Sequence, residues 1–493
     1  MLTKPDHPTD LSRLEAHERV VARELELLCL PAKPWLREHR TASGQPLRDV
    51  VIVGAGMNGV GAAAALIFKG VTNIAVLDAA APGREGPWVT YARMDTLRSP
   101  KFLPGPIAGI PSLTFRAWYE AQHGELGWEA LYKIPNAVWA EYLSWLQQVL
   151  RLPVSHGVRV TRIGPDHGHL ALHVATSQGE RVIHSRRVVL ATGRGGAGGN
   201  HVPAFIDRGL WPDRAAHGNE AIDFSALAGT SIAVIGGSAS AWDNAATALE
   251  RGAASVDMYI RRESLPQINK GRGSANPGFF HGWSGLALAE RWELAVYMND
   301  RPAPPPHETV LRGLKQKGLH VHLGHGLAAV RATTGGIELD LQTAGGAITR
   351  AHDFLILGTG FAIDLDRVPE LAIFAPDIAR WDDVYTPPPE LRRPELAAYP
   401  FLGPAFELTP RSAGAPPELS RIHLLNHGAA ASHGQIASDI PGTAVAAERL
   451  AVGIASAFFR EDIAEVSATL DAFDEPELES TPFFVPRVPP ATR

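Results

Sequence analysis

Apolar residues at Leu11, Leu14, Val21, Leu25 and Leu28 recur at helical spacing, and Ser12 and Glu15 stand as in a capping box, so the pattern predicts one amphipathic helix over residues 11–30. Acidic residues share its polar face, which favours docking onto its own protein over a membrane surface. Pro31 and Pro34 break the periodicity. From Asp49 the pattern changes to a β-branched run over 50–53, a glycine-rich turn, an alanine-rich helix through Lys69 that Gly70 stops, and a second strand over 74–77 ending at Asp78. The same order returns later: a strand over 231–235, a turn at 236–240, a helix over 241–251, a stop at Gly252 and a strand over 256–260. Two βαβ units predict an α/β protein with two Rossmann-like dinucleotide-binding domains.

A buried strand runs into a glycine turn at 187–193 and is echoed at 353–360. The landmarks alternate as turn, strand, turn, strand, which suits an inserted domain better than a tandem. The expected organisation is an N-terminal helical extension (1–48), an FAD-type domain in two parts (49–215 and 353–455), an inserted NADPH-type domain (216–352) and a C-terminal tail (456–493).

The chemistry lies in the turns. Gly54, Gly56 and Gly59 follow a strand and open a helix: the first permits the tight turn, the second lets a pyrophosphate approach the helix N-terminus, and the third lets helix and strand pack closely. Asp78, some twenty residues on, suits a ribose hydroxyl. In the second turn Gly236 and Gly237 are followed by Ser238 where a glycine is usual, and Ala241 takes the third glycine's place. Arg261 and Arg262 lie past the next strand, where arginine accommodates the 2′-phosphate of NADP; the bland reading is a solvated surface pair.

Composition narrows the classes. With 46 Lys and Arg against 52 Asp and Glu, the formal charge is -6, and no dense basic run offers a nucleic-acid surface. Continuous apolar runs are far shorter than the roughly 20 residues that cross a bilayer. The first residues lack a secretory pattern, so a cytoplasmic address is expected. Cys29 is the only cysteine, which leaves no intramolecular disulfide and no CxxC redox pair. His167, His169, His173, His320 and His322 cluster in sequence, but no cysteine or matched acid completes a ligand set, so no metal is expected.

The paired turns, the Ala-Thr-Gly ending at 191–193, the Leu-Gly-Thr-Gly-Phe at 357–361 and the Gly-Pro-Trp at 86–88 resemble the flavin-containing and Baeyer-Villiger monooxygenases and, more distantly, the N-hydroxylating monooxygenases. The resemblance covers about residues 49–454. It implies FAD in the first domain, NADPH in the second, and insertion of one atom of O2 into a small organic substrate through a C4a-(hydro)peroxyflavin. A flavin-dependent NADPH oxidase or reductase and a non-turnover nucleotide sensor stay open, and a homo-oligomer is compatible with the sequence. By the same resemblance Trp88 and residues 94–101 lie near the flavin, with Asp95, Arg98 and Lys101 as catalytic candidates; an interdomain salt bridge is the alternative for Arg98 and Lys101. Asn58, Thr192, Gly193, Ser240, Thr359, Gly360 and Gln435 join the expected cofactor contacts. His427 and His433 fall in a loop before a helix expected from about 440 to 450, and both read more readily as structural than as bases. Residues 269–283, with Phe279, Phe280 and Trp283, are either a substrate-pocket wall or plain core. Phe205, His217, Trp211 and Pro212 scramble the Baeyer-Villiger linker motif, which weakens ketone oxygenation.

Overall fold

A computed structural model describes residues 11–485; the extreme ends of the N-terminal extension and of the tail, including the segment read for a secretory pattern, lie outside the described residues. The amphipathic pattern forms the helix Leu11–Leu27. It docks on the helix Phe115–Ala130 with Val21 1% exposed. Glu18 accepts a hydrogen bond from Trp145 Nε1 at 3.1 Å, and Glu24 accepts from Ser112 N and Oγ at 3.1 and 2.5 Å, so part of the acidic face is spent on the protein itself.

The first sheet is ordered Val154–His156, Ile74–Asp78, Pro46–Val53, Gly179–Leu190, His169–Thr176, Arg159–Asp166, with His39–Arg40 added to Pro46–Val53 and Ile422–Leu424 to Gly179–Leu190. Pairing is parallel around Pro46–Val53 and antiparallel through the meander of the last three ordered strands. Val50, Val51 and Ile52 are wholly buried, and the helix Met57–Phe68 packs on their strand and on Ile74–Asp78. The outer side of that helix packs against Thr443–Glu461. Residues 440–461 are long and apolar enough to cross a membrane, but Ala446, Ala447, Leu450, Ala451, Ile454 and Phe458 are buried in the core.

The second sheet is all parallel, ordered Leu319–Leu323, Ser255–Ile260, Ser231–Ile235, Phe354–Leu357, Ala215–His217, and the antiparallel sheet Gly326–Ala332, Ile337–Thr343, Gly346–His352 precedes its strand Phe354–Leu357. That strand was expected to open the second part of the first domain; it lies instead beside Ser231–Ile235. The reason is local. Each glycine turn needs a neighbouring strand end to press against: a Cβ on Gly54 would sit 2.5 Å from Ala191 O, and a Cβ on Gly236 would sit 2.5 Å from Gly358 O. Each unit therefore keeps its own strand-and-glycine closure, and the chain rejoins the first sheet only at Ile422–Leu424. The two crossings between units run side by side: Asn200 and Phe361 form an antiparallel bridge, His201 N donates to Gly360 O, and Ala362 N donates to Gly199 O, both at 2.9 Å.

Candidate active site

The first turn divides its work as the glycine spacing predicts. Gly54 has φ +103°, and a Cβ on Gly59 would fall 1.8 Å from Gly54 O, so these two positions are closed to side chains. Gly56 is different: a Cβ there would meet nothing nearer than Gly86 at 3.9 Å. Its openness, beside the uncapped N-terminus of Met57–Phe68, fits a pyrophosphate. Asp78 accepts from Ala55 N and Ala80 N, one per oxygen and both at 2.7 Å, which fixes the carboxylate and leaves lone pairs for a ribose hydroxyl.

A cleft of about 890 Å³ opens from this turn and is large enough for an extended dinucleotide. Gly54, Gly56, Asn58, Asp78, Trp88, Arg98, Thr192, Gly193 and Ser240, all expected at the site, line it. Trp88 stands edge-on to Trp139, with ring centroids 6.1 Å apart. Asn58 lines the cleft yet spends its amide on the chain: Nδ2 donates to Leu425 O at 3.0 Å and to Ala437 O at 2.6 Å, fastening the C-terminal loop to the first helix. Thr192 Oγ1 accepts from Asn426 Nδ2 at 3.0 Å.

The three catalytic candidates separate. Arg98 reaches the cleft, but its guanidinium pairs at 2.9 Å with Asp243 of the helix Ala239–Glu250, so the interdomain salt bridge is present. Burial raises the Asp243 pKa and Arg98 counters it. Lys101 does not line the cleft: Nζ donates to Trp128 O at 2.5 Å and lies 4.6 Å from the Trp128 ring centre. Asp95 also points elsewhere, 3.6 Å from Arg312 Nε with its side chain 68% exposed. Gln435 is exposed and accepts from Ser438 Oγ at 2.7 Å; Ala437, Ser438, Asp439 and Ile440 line the cleft in its stead.

In the second unit a Cβ on Gly237 would lie 2.8 Å from Ile260 Cγ2, which explains the glycine. Ser238 caps Ala239–Glu250 by position only; its exposed side chain makes no cap bond. Arg261 and Arg262 are exposed and form no ion pair among the described residues. Thr359 Oγ1 donates to His201 O, and Gly360 has φ +81°, so both shape the neck between the units. Arg93, unmarked by any motif, crosses from the first unit to Gly218 O at 2.9 Å and Glu220 O at 2.6 Å.

Around the C-terminal loop the expected His427 meets two groups that carried no motif of their own, Tyr399 and Arg194. His427 Nε2 meets Tyr399 Oη at 3.2 Å, and burial followed by the field of Arg194 pushes its pKa down to about 3. Burial lifts Tyr399 to about 12, while Arg194 pulls it and Tyr91 the other way. Arg194 lines the cleft, 52% exposed, with Asp439 at 2.8 Å. It directly follows Thr192 and Gly193, the one local signal that marks it. His433 donates from Nε2 to Gly403 O and accepts from Arg449, an assignment that fits the structural reading. Trp283 is 6% exposed and packs with Trp292 and Trp381, while Phe279 packs partly against the same cluster and Phe280 against the first core, so none of the three lines the cleft.

Comparison with known proteins agrees with this geometry. A sequence profile described as pyridine nucleotide-disulphide oxidoreductase matches residues 51–274. The FAD-dependent urate hydroxylase of Xanthomonas campestris pv. campestris is 38% identical over 462 residues, 93% of this chain and 96% of that protein. Among solved structures, the ornithine hydroxylase of Pseudomonas aeruginosa superposes with a TM-score of 0.66 at 19% identity, over 83% of this chain and 98% of that one. The L-lysine 6-monooxygenase of Pseudomonas syringae gives 0.62 at 19% identity, over 84% and 99%. The lone Cys29 removes a disulfide-reducing pair from the options. The chain is thus an FAD-dependent oxidoreductase and belongs to the flavin monooxygenase superfamily, in the family of the FAD-dependent urate hydroxylase.

Proposed function

We propose that this enzyme uses NADPH and O2 to hydroxylate a small, electron-rich, anionic heterocycle of the urate kind. The balance is substrate, O2, NADPH and a proton giving hydroxylated substrate, NADP+ and water; a urate-type ring carries no C–H, so the new C–O bond forms at a ring-fusion carbon as the ring C=C shifts to C=N and a ring N–H gives up its proton. The carrying observation is one cleft where the first glycine turn, Ser240 of the second unit and the cationic Arg194 converge. Bound FAD would supply oxygen activation, and the chain's residues do the rest. Gly56 and the adjoining helix N-terminus receive the pyrophosphate, and Asp78 takes the ribose. Ser238 offers a free hydroxyl to the second dinucleotide, and Arg261 and Arg262 offer bidentate cations to its 2′-phosphate. Arg194 attracts the anionic substrate, and the neutral His427 and Tyr399, within its field but outside the cleft lining, back it without adding charge.

The test is oxygen and NADPH consumption by the purified yellow enzyme, with and without urate. Support is urate-stimulated turnover at matched stoichiometry, with Arg194→Met raising the KM for urate about tenfold or more. NADPH consumption that urate leaves unchanged, with peroxide formed in equal amount, would establish the oxidase reading instead.

A further inference from the structure

The sequence reading found no acid to complete a histidine set, but folding supplies one. Residues 166–169 form a two-residue hairpin turn in which His167 has φ 49° and Gly168 φ 87°, the turn type whose twist matches antiparallel strands. It makes Asp166 and His169 a directly opposed pair. His184 opposes Ala171 on the next strand, so it shares the face of His169 on the diagonal. The turn is itself anchored, since Gly168 N donates to the buried Glu418 at 2.9 Å.

The contacts there are not those of an ordinary ion pair. Asp166 Oδ2 lies 2.9 Å from His169 Nε2 and 2.9 Å from His184 Nδ1. Neither contact has hydrogen-bond geometry, and each ring nitrogen exposes less than 1 Å². His169 as a whole is 8% exposed. Two sealed imidazole nitrogens and a carboxylate oxygen converge, therefore, without a proton in line to join them. Lone pairs so arranged repel one another unless a cation lies among them. We propose that Asp166, His169 and His184 bind one divalent transition-metal ion of the Zn²⁺ type.

Two imidazoles and one carboxylate are the ligand set such an ion prefers, and the 27% exposure of the Asp166 side chain leaves a water path to a fourth position. The ion would clamp the three meander strands at their turn end, a stabilising role separate from the cleft. A second group, His39, Asp462 and Glu465, also has its ligand atoms close together. There Arg186 holds both oxygens of Asp462 at 2.6 and 2.8 Å, so a guanidinium already occupies the cation's place.

The holoenzyme, stripped with chelator and titrated with Zn²⁺ in a calorimeter, is expected to bind about one equivalent per chain. The double variant His169→Gln/His184→Gln is expected to bind at least about 100-fold more weakly. His173→Gln, on the same strand but engaged with Arg162 at 2.8 Å, and His39→Gln are expected to keep the site. Zinc K-edge absorption of the unmutated enzyme is expected to show two imidazoles among light-atom ligands, a readout that needs no variant to fold. No Zn²⁺ uptake by the wild type, uptake unchanged in the double variant, or a zinc shell without imidazole would overturn the proposal. FAD content and turnover serve as controls, because the site stands apart from them.

Discussion

At Gly56 the chain leaves a methyl-sized space next to a helix N-terminus, whereas at Gly59 a methyl group would strike the backbone of Gly54. Glycine serves opposite ends at the two positions. Gly56→Ala is expected to fold with stability within about 0.5 kcal/mol of wild type, yet to bind FAD at least about tenfold more weakly, as flavin fluorescence would report. Gly59→Ala is expected to cost about 2 kcal/mol or more in denaturant unfolding, because the overlap is with backbone that cannot rotate away. His423 illustrates a cost read from pH. Burial, then Arg187, pushes its pKa down to about 3, so the unfolded chain takes up a proton near 6.5 that the folded chain refuses. Its neutral form is compatible with full stability above pH 6.5, and stability is lost as pH falls from there toward 3. Between pH 7 and pH 5 this amounts to about 2 kcal/mol, and His423→Asn, which keeps a donor for Ala405 O, is expected to flatten that part of the stability profile.

At the scale of elements, the parallel strands and their helices were legible because each carries its own signal. The helix expected over 241–251 is Ala239–Glu250, and the strand expected over 256–260 is Ser255–Ile260. What could not be read was partnership. A continuous apolar run says that a strand is buried, not which sheet buries it, and so residues 354–357 were assigned to the other domain. The pins across elements were equally silent: Asn58 bonds residues 367 and 379 positions away, and no local pattern encodes such a distance. Arg98 and Asp243 join the two units in the same way. Asp243 is 3% exposed, so Arg98→Met leaves a buried carboxylate unpaired and raises its pKa further. The resulting loss of stability is expected to be larger at pH 8, where the carboxylate must stay charged, than at pH 5, where protonation relieves it. Equal losses at both pH values would remove the pair from the interdomain electrostatics.

At the scale of the whole molecule, the site is assembled from many stretches far apart in sequence, among them the first turn, residues 77–80, 84–99, 158–160, 191–199, 367–370 and 437–440, with Ser240 and Asp243 from the second unit. The glycine turns announced two of its walls by composition. Arg194 stayed hidden, because a single arginine has no periodicity. Cofactor choice belongs to this scale too, since it depends on which unit presents free cations. Replacing Arg261 and Arg262 by Ala is expected to raise the KM for NADPH about tenfold or more while leaving that for NADH within about twofold, measured by steady-state oxidation of each. Equal effects on the two would show that the arginines do not contact the 2′-phosphate.

The paired crossings at Asn200 and Phe361 carry a consequence of their own. A unit whose entrance and exit touch can be cut out and its host rejoined by a short link, with neither sheet losing register. Residues 200–361 are in that sense a portable cassette, and a gene for them alone is expected to yield a folded protein with its five-stranded parallel sheet intact.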